Sequence, residues 1–356
     1  MISKAPMPQL PISCSGRGEV LGLDVGGAHL KLALARDGRI LAARQIPCRL
    51  WEGLDRLGPA FDAGLSGLPV PGRIALTMTG ELADLFPDRA TGVEALTEAV
   101  RARFPGASLA VWAGREGFLA AEPAATRSAA AVASANWLAT ASLAAARAGN
   151  GLLVDIGSTT TDILPLVSGS VRFAGYSDAE RLARGELVYQ GVTRTPVMAI
   201  ADRAPLAGAW VPLMNEYFAT AADVWRLLGR LDEAHDQHAA ADNGPKTAAA
   251  SAKRLARMVG ADLGPGPENW IGLAEWLARA QLRRIEDAIR LVLSRERVPP
   301  AAPIIGAGCG RHIADDLAAA LGRPYVDLAE LIQVEPEAAA MAATCAPAVA
   351  VALLAG

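Results

Sequence analysis

Two segments of the chain share one pattern, which restricts the fold more than any other feature of the sequence. The first is GLDVGGAHLKLALA, residues 22–35, and the second is GLLVDIGSTTTDILPLVSG, residues 151–169. In both, an apolar run meets an Asp, a Gly and small or polar residues before a second apolar run begins. Each pattern predicts two strands joined by a tight turn. Because two such hairpins stand roughly 130 residues apart, we expect an internally duplicated fold.

The glycines of the first turn leave two interpretations open. A Gly-Gly turn is common in hairpins that bind nothing. Glycine also leaves the backbone N–H groups unshielded, so consecutive amides at Gly26 and Gly27 can form a concave anion site. The first turn alone does not distinguish a hairpin connection from a phosphate loop.

A third glycine-rich turn, IIGAGCG at residues 304–310, also ends an apolar run and favours the phosphate interpretation. We expect Asp24 and Asp155, at matching positions of the two halves, to face each other across a cleft and to hold Mg²⁺ through its waters. Backbone amides and the hydroxyls of Ser158, Thr159 and Thr160 are expected to contact phosphate oxygens. Turn-capping by the two carboxylates is the structural alternative.

Composition argues against several classes of function. The chain has 356 residues, a net charge of −3 and no long basic run, which does not suggest a nucleic-acid or acidic-membrane partner. Its four scattered cysteines lack CxxC spacing, which is typical of a reduced, cytoplasmic protein. Residues 338–356 are uncharged and approach the length of a membrane span, but their alanine content and Pro347 favour a buried terminal helix.

The order of apolar and polar segments predicts two lobes. Residues 1–17 are expected to be a flexible N-terminus. Residues 18–150 are expected to form lobe I with the first loop, completed by a C-terminal helix over residues 336–356. Lobe II, residues 151–335, is expected to carry the second loop, a helical insertion at about 206–300 and the third glycine loop at 304–310.

Helical patterns divide the long segments between the predicted strands. An alanine-rich segment, residues 120–148, predicts one or two helices. The further helices are predicted at residues 215–231, 247–259, 270–296 and 311–321.

The three loops together resemble those of the superfamily that contains actin, sugar kinases and heat-shock chaperone ATPases. DVGGAHLK resembles its first phosphate loop, DIGSTTTD its second and IIGAGCG its adenosine loop, in the same order along nearly the whole chain. The resemblance implies an α/β, two-lobed actin-like ATPase fold, which is a duplicated ribonuclease H-like fold with a cleft between the lobes.

Further motifs resemble the hydantoinase A and oxoprolinase-related group, and within it the branch linked to tetrahydromethanopterin-dependent C1 transfer. They are TMTGELADLF, REGF, ASANWLATA, VDIGSTTTDILP, RGELVYQGVTRTPV and NEYFATAADV. Archaeal relatives in this branch are methanofuran-biosynthesis synthases. These join (5-aminomethyl-furan-3-yl)methyl diphosphate to the phenol of a tyramine unit as an ether and release pyrophosphate.

This resemblance implies a Mg²⁺-dependent transferase of methylofuran or methanofuran biosynthesis. Its expected partners are two small molecules, a furfuryl diphosphate and a tyramine- or tyrosine-type phenolic amine that is γ-glutamylated or not. A cytoplasmic location is implied, no membrane or nucleic-acid partner is expected, and assembly into a homo-oligomer is left open.

The predicted catalytic and metal residues are acidic. Asp24 and Asp155 are predicted to act in catalysis by organising the metal, and Asp162 to support the second loop or the metal waters. Glu186 is the predicted substrate contact or proton acceptor, although a salt bridge to Arg181 or Arg184 would give it a purely structural role.

The predicted binding residues lie mainly in the three loops. Arg194 is expected to bind an anion of the substrate. His29 is expected to contact the substrate, for instance as a general base, and the structural alternative is an exposed turn residue. Lys31 either adds charge near the diphosphate or points to solvent. The residues predicted to contact a diphosphate or nucleotide are Gly26, Gly27, Lys31, Gly157, Ser158, Thr159, Thr160, Gly306, Gly308 and Gly310.

Three other features favour structural interpretations. His235 and His238 have zinc-type spacing without a third ligand, which favours a solvated loop. Cys309 is expected to fill the third turn as a small buried residue. Five aromatic residues are expected to lie in the core more often than against a furan or phenol ring: Trp137, Tyr189, Tyr217, Phe218 and Trp225.

Two other functions compete with the transferase. GAGCG resembles an adenosine loop, so an ATP-dependent small-molecule kinase or hydantoinase-like ATPase is the first alternative. A non-catalytic, nucleotide-binding protein of the C1 pathway that kept the fold and lost the chemistry is the second.

Overall fold

The computed structural model describes residues 18–356, so the predicted flexible segment 1–17 lies outside the described residues. The chain divides into two compact units, which are described separately. Unit 1 contains the described residues up to Leu153, together with Pro165–Arg172 and Val326–Gly356. Unit 2 contains Val154–Leu164 and Phe173–Tyr325.

The β-strands carry the apolar runs of the sequence. They are β1 Glu19–Val25, β2 His29–Arg36, β3 Arg39–Pro47, β4 Arg73–Met78, β5 Ser108–Trp112, β6 Phe118–Ala120, β7 Gly151–Ile156, β8 Thr161–Val167, β9 Ser170–Val171, β10 Leu187–Val188, β11 Arg203–Leu206, β12 Ala209–Pro212, β13 Ile304–Ala307, β14 Tyr325–Asp327 and β15 Gln333–Val334.

The α-helices occupy the segments between the strands. They are α1 Leu57–Leu65, α2 Arg89–Arg103, α3 Ala121–Thr126, α4 Ala129–Val132, α5 Asn136–Ala148, α6 Asp178–Arg184, α7 Ala221–Leu227, α8 Ala248–Met258, α9 Ile271–Arg295, α10 Arg311–Ala320, α11 Ala339–Thr344 and α12 Ala346–Leu354.

Two helical predictions need correction because local signals divide the segments. The alanine-rich segment forms α3, α4 and α5, and Ser134 interrupts it with a φ of 52°. The helix predicted at 215–231 is shorter, because a capping box of Thr220 and Asp223 begins α7 and Gly229, with a φ of 67°, follows its end. Helices α8, α9 and α10 confirm the other predictions.

Unit 1 is built on a seven-stranded mixed sheet with the order β15-β3-β2-β1-β4-β5-β6. Strands β1 and β2 form the predicted hairpin, with Asp24 opposite Lys31 and Val25 opposite Leu30. Strands β1, β4 and β5 run parallel, so their carboxyl ends lie at one edge of the sheet. This edge carries the first loop.

Both faces of β1 are covered, as is typical of a central strand in an α/β sheet. Leu21, Leu23 and Val25 belong to the apolar cluster that also contains side chains of α1 and α2. On the other face Gly22 meets α12, where a Cβ would lie 2.0 Å from the Ala348 carbonyl oxygen and 2.8 Å from the Ala352 Cβ. Glycine at this position therefore permits the closest approach of the helix to the sheet.

The C-terminal segment forms two helices rather than the single predicted helix. Residues 346–352 are all buried, and α12 packs on β1 and α5. Within residues 18–356, no single helix is long and apolar enough to cross a bilayer. The segments Pro336–Thr344 and Ala346–Leu354 reach that length and apolarity only when they are taken together, and a bend of 107° separates them.

The second sheet has the order β10-β8-β7-β13-β14, and β9 also pairs with β8. Strands β7 and β8 form the second predicted hairpin and carry the second loop between them. Helices α7, α8 and α9 of unit 2 pack around the fully buried Trp225, whose indole N–H donates to Gln281 Oε1 at 2.8 Å.

We predict that Gly22→Ala destabilises the protein by about 1–3 kcal/mol, because the added methyl group collides with backbone of α12 that has no freedom to move away. Urea denaturation followed by circular dichroism measures the loss. Gly106→Ala is the matched control, since nothing lies within 4 Å of its Cβ position. Equal stability of the two variants would contradict the close packing of α12 on β1.

Candidate functional site

The first loop, residues 26–28, turns its carbonyl groups toward its own unit. The Gly26 N–H closes the turn by donating to the His29 carbonyl at 3.0 Å. The carbonyls of Gly27 and Ala28 accept from the N–H groups of Leu50 and Cys48 at 3.0 and 2.9 Å. Among the described residues, no backbone carbonyl accepts from the N–H groups of Gly27 or Ala28. These amides are oriented as the anion-nest interpretation requires.

Asp24 stands at the end of β1 with its charge already balanced. Its carboxylate is buried, Lys31 Nζ lies 3.8 Å from Oδ2, and the Asn136 amide lies 3.5 Å from Oδ1. Lys31 occupies the opposite position on β2, so it faces the carboxylate rather than solvent. His29 is 5% exposed, which excludes the exposed-turn alternative.

The second loop, residues 157–160, repeats the hydrogen-bond pattern of the first. The Gly157 N–H donates to the Thr160 carbonyl at 2.8 Å. The carbonyls of Gly157 and Ser158 accept from the N–H groups of Val192 and Arg194 at 3.1 and 2.8 Å. In the part of the chain that the structure describes, no backbone carbonyl accepts from the N–H groups of Ser158, Thr159 or Thr160. The loop therefore presents three N–H donors, each on a residue that also carries a hydroxyl group.

A supporting segment, residues 190–195, holds the second loop in this orientation. A Cβ on Gly191 would lie 2.4 Å from both Ser158 C and Thr159 N, so only glycine permits the contact. The Gly191 N–H donates to Thr195 Oγ1 at 2.8 Å, and Thr193 Oγ1 donates to the Ser158 carbonyl at 3.4 Å. The supporting segment therefore donates hydrogen bonds to the carbonyl groups of the loop, and none of its own backbone carbonyls accepts from the N–H groups of the loop.

The supporting segment also brings a cation to the loop. Arg194 Nη1 donates to Thr159 Oγ1 at 3.3 Å. Burial lowers the pKa of Arg194, and the hydroxyl groups of Tyr217 and Tyr189 act in the opposite direction. Burial raises the pKa of Tyr217, which Arg194 partly offsets. The predicted anion partner Arg194 therefore lies beside the predicted phosphate loop.

The third loop, residues 306–310, packs against the base of the second. A Cβ on Gly308, whose φ is 80°, would lie 2.2 Å from the Ile156 carbonyl oxygen and 2.5 Å from Asp155 Oδ1. The Gly310 N–H donates to the Ile156 carbonyl at 2.8 Å. Gly306 lies against the Tyr325 ring. These contacts give the three glycines a structural role, and their predicted contact with a nucleotide stays a prediction.

Glu186 makes structural contacts, although its carboxylate pairs with Arg295 rather than with Arg181 or Arg184, the partners expected from the sequence. Its carboxylate accepts from the N–H groups of Ala174 and Gly175 at 2.7 and 2.9 Å and from Arg295 Nη2 at 3.1 Å, and the residue is 1% exposed. The three donors occupy both carboxylate oxygens of a side chain that has almost no access to solvent. The geometry therefore argues against Glu186 as the general base.

Asp162 is paired with a buried cation. Arg181 Nη2 donates to Asp162 Oδ1 at 2.6 Å and to the Glu186 carbonyl at 3.1 Å. Arg181 is 2% exposed, so it requires this carboxylate to balance its charge. Asp162 thus supports the β8 side of the second loop, and the ion pair competes with the predicted metal role.

The donor set for Mg²⁺ is sparse. Within residues 18–356, no three His, Cys, Asp or Glu side chains are grouped so as to hold a metal ion. Proteins commonly hold Mg²⁺ with one or two carboxylates and the phosphates of the substrate. The buried Asp155, at the end of β7, fits a cation that arrives with its diphosphate rather than a resident cage.

The polar segment around the two histidines is not the solvated loop predicted from the sequence. His235 is 5% exposed. Arg226 on α7 donates to Glu233 at 2.8 Å and also pairs with Asp236, while Arg254 on α8 joins Asp223 and Asp242 at 3.0 and 2.8 Å. Buried charges are tolerated only when they are paired in this way, so the ion pairs tie the segment to both helices.

The prediction for the aromatic residues was correct in part. Trp137 and Trp225 are buried, as is Cys309. Tyr189 and Tyr217 are 55% and 51% exposed, so the core assignment was wrong for them. Their relation to Arg194 depends on tertiary structure, and the sequence signal was limited to their occurrence in two motifs, RGELVYQGVTRTPV for Tyr189 and NEYFATAADV for Tyr217.

Comparison with known proteins gave consistent matches. The sequence profile described as Hydantoinase/oxoprolinase matches residues 73–354. A (4-{4-[2-(gamma-L-glutamylamino)ethyl]phenoxymethyl}furan-2-yl)methanamine synthase of Methanocaldococcus jannaschii is 32% identical over 244 residues, which are 68% of this chain and 72% of the relative. The synthase of the same name from Methanococcus vannielii is 33% identical over 32% of this chain and 51% of its own length.

A solved structure establishes the fold. The nucleotide-free structure of acetone carboxylase, from a study of ATP-dependent acetone carboxylation, matches with a TM-score of 0.57 at 11% identity. The match covers 93% of this chain and 70% of that protein. The α/β fold, which the three loops implied, is confirmed.

We predict that Gly191→Ala weakens the binding of inorganic pyrophosphate by about tenfold, because the methyl group pushes the supporting segment away and disorders the donors of the second loop. Isothermal titration calorimetry measures the change.

Gly272→Ala is the control in the same unit, since nothing lies within 4 Å of its Cβ position. If Gly191→Ala does not fold, Thr195→Val tests the same segment by removing the acceptor of the Gly191 N–H. Unchanged pyrophosphate binding in a folded variant of either kind would contradict the role of the segment.

Proposed function

Because this chain belongs to the hydantoinase/oxoprolinase family, and because its second loop combines exposed amides with Arg194, we propose that it is a diphosphate-releasing transferase of methylofuran or methanofuran biosynthesis. The proposed substrates are (5-aminomethyl-furan-3-yl)methyl diphosphate and the phenol of a tyramine- or tyrosine-type amine, γ-glutamylated or not. The single observation that carries the proposal is the identity of 32% over 68% of the chain to a synthase whose product name contains a phenoxymethylfuran ether.

The proposed reaction exchanges one C–O bond for another. The bond between the furfuryl carbon and the diphosphate oxygen breaks, and its electron pair leaves with the diphosphate. The phenol oxygen forms the new bond to the same carbon, and the phenolic proton is lost, so the products are the aryl ether and protonated pyrophosphate. Negative charge develops on the leaving group, and its stabilisation is the main catalytic requirement.

The second loop supports this requirement. The N–H groups of Ser158 and Thr159, which donate to no backbone carbonyl among the described residues, are positioned to bind diphosphate oxygens. Arg194, held against Thr159 Oγ1, adds a fixed positive charge, and its planar guanidinium is suited to phosphate. Donors that are positioned in advance stabilise developing charge without reorganisation.

Mg²⁺ is part of the proposal. When bound, it would neutralise diphosphate oxygens and so lower the energy of the leaving group. Asp155 would hold it, directly or through water, and Asp24 stays the predicted second carboxylate, although Lys31 already lies 3.8 Å from it. In this proposal, residues of the chain bind and orient the diphosphate and thereby position the furfuryl carbon. Glu186 is not proposed as the general base that accepts the phenolic proton.

We expect the purified protein to form the aryl ether from the furan diphosphate and at least one phenolic amine when Mg²⁺ is supplied. Mass spectrometry of the product, with tyramine and γ-glutamyltyramine as acceptors, and a coupled assay for pyrophosphate provide the measurements. Absence of an ether with either acceptor would refute the transferase. Turnover of Mg·ATP to ADP would instead support the kinase or ATPase alternative, and ligand binding without any turnover would support the non-catalytic one.

Asp155→Asn should lower the rate of pyrophosphate release by about 10- to 100-fold, because the amide keeps the shape and removes the charge that attracts the cation. Asp202→Asn is the matched control, since Asp202 is an exposed residue of the same unit. Near-normal turnover of Asp155→Asn at limiting Mg²⁺ would remove Asp155 from the metal site.

A further inference from the structure

Two of the four tyrosines of the chain stand half-exposed next to the supporting segment. Tyr189 directly precedes it, and Tyr217 lies on the connection that leads into α7. Their exposed fractions are 55% and 51%, whereas Trp225 on the neighbouring α7 is fully buried. An exposed aromatic ring forgoes the stabilising free energy of burial. Two such rings near a cation therefore indicate a ligand-binding surface.

Tyr189 is positioned by a buried polar network. The following residue, Gln190, is 3% exposed and donates to the Ala199 carbonyl at 3.0 Å. Thr161 Oγ1 donates to the Gln190 carbonyl at 2.6 Å, and Gln281 Nε2 donates to the Gly191 carbonyl at 2.9 Å. These bonds fix the backbone on both sides of Gln190, and with it the direction in which the chain presents Tyr189.

Tyr217 is brought to the same place by backbone hydrogen bonds. The Val197 N–H donates to the Ala219 carbonyl at 3.0 Å, and the Ala221 N–H donates to the Thr195 carbonyl at 2.8 Å. The Tyr217 connection therefore runs beside the end of the supporting segment. The two tyrosines reach Arg194 from different parts of the chain.

Electrostatic interactions link the two phenol groups to the guanidinium of Arg194. Both tyrosine hydroxyl groups raise the pKa of Arg194 against the effect of its burial. Arg194 in turn lowers the pKa of Tyr217, while burial, Asp223 and Asp236 raise it. The guanidinium thus has the Thr159 hydroxyl on one side and the two phenol groups within electrostatic range.

We propose that Tyr189 and Tyr217 bind the aromatic ring of the substrate whose diphosphate is held by Arg194 and the second loop. This inference rests on the proposed function and names the residues that recognise the furan. A single methylene group separates the furan ring from the diphosphate, so the ring must lie next to the anion subsite. Half-exposed aromatic rings next to the supporting segment are suited to offset or edge-to-face packing on it.

The same placement has a consequence for the reaction. As the C–O bond breaks, positive charge develops on the furfuryl carbon and spreads into the furan ring. The faces of tyrosine rings carry negative electrostatic potential and attract such a cation. Tyr189 and Tyr217 therefore act as substrate-binding residues in the ground state and stabilise the ring more strongly as it becomes cationic.

Paired binding measurements separate ring recognition from diphosphate recognition. The probes are inorganic pyrophosphate and furfuryl diphosphate, each titrated calorimetrically with Mg²⁺ into the full-length protein. Tyr189→Ala and Tyr217→Ala should each weaken furfuryl diphosphate by about 3- to 10-fold and leave pyrophosphate within about twofold. Tyr217→Phe should retain the wild-type affinity for furfuryl diphosphate, because it keeps the ring. Arg194→Ala should weaken both probes by about tenfold.

Trp210→Ala is the control for loss of an exposed aromatic side chain, since Trp210 is 57% exposed and packs on Arg203 and Trp276. It should change neither affinity. Equal weakening of both probes by the tyrosine variants, or no weakening of either, would overturn the proposal. ADP serves as a third probe. If the tyrosine variants weaken the binding of ADP and leave that of furfuryl diphosphate unchanged, the rings recognise a nucleotide and the proposal is also overturned.

The results also distinguish failure of this inference from failure of the proposed function. Ether formation with an unchanged KM for the furan diphosphate in both tyrosine variants would refute the ring subsite and leave the transferase intact. Selective loss of furfuryl diphosphate binding without ether formation by the wild-type protein would support the subsite and refute the transferase.

Discussion

The close contact between Gly191 and the second loop is the constraint on which the rest of the candidate site depends. A side chain at position 191 would overlap the backbone of Ser158 and Thr159. Because glycine allows the contact, the N–H groups of Val192 and Arg194 reach the carbonyls of Gly157 and Ser158. Among the described residues no backbone carbonyl accepts from the N–H groups of Ser158, Thr159 and Thr160, an arrangement that is suited to anion binding.

The two loops have the same backbone arrangement but different side chains around it. In each, the glycine N–H closes the turn, and a neighbouring segment occupies the carbonyls. The residue that donates to the Gly27 carbonyl is the buried Leu50, whereas Arg194 donates to the Ser158 carbonyl. Duplication therefore explains the shape of the loops, and the difference at this one position explains why the second loop combines donors with a cation.

Local patterns predicted the fold more fully than the site. Alternating apolar residues on either side of Asp24 and Asp155 were sufficient for the two hairpins, since strand period and turn chemistry act over a few residues. Glu186 was assigned a chemical role because an acidic residue in a motif gives no sign of its partners. Its three donors come from Ala174, Gly175 and Arg295, distant in sequence, and only packing brings them together.

The sequence by itself determined that the chain forms two Asp-Gly hairpins, a third glycine loop and the helices between them, and it placed the chain in its family. Tertiary structure decided which groups surround those loops. It placed Lys31 opposite the carboxylate of Asp24 and surrounded the carboxylate of Glu186 with donors. It also left Tyr189 and Tyr217 half-exposed, within electrostatic range of Arg194. The physical reason is range: turn geometry depends on adjacent residues, whereas burial and charge pairing depend on segments that meet only when the chain folds.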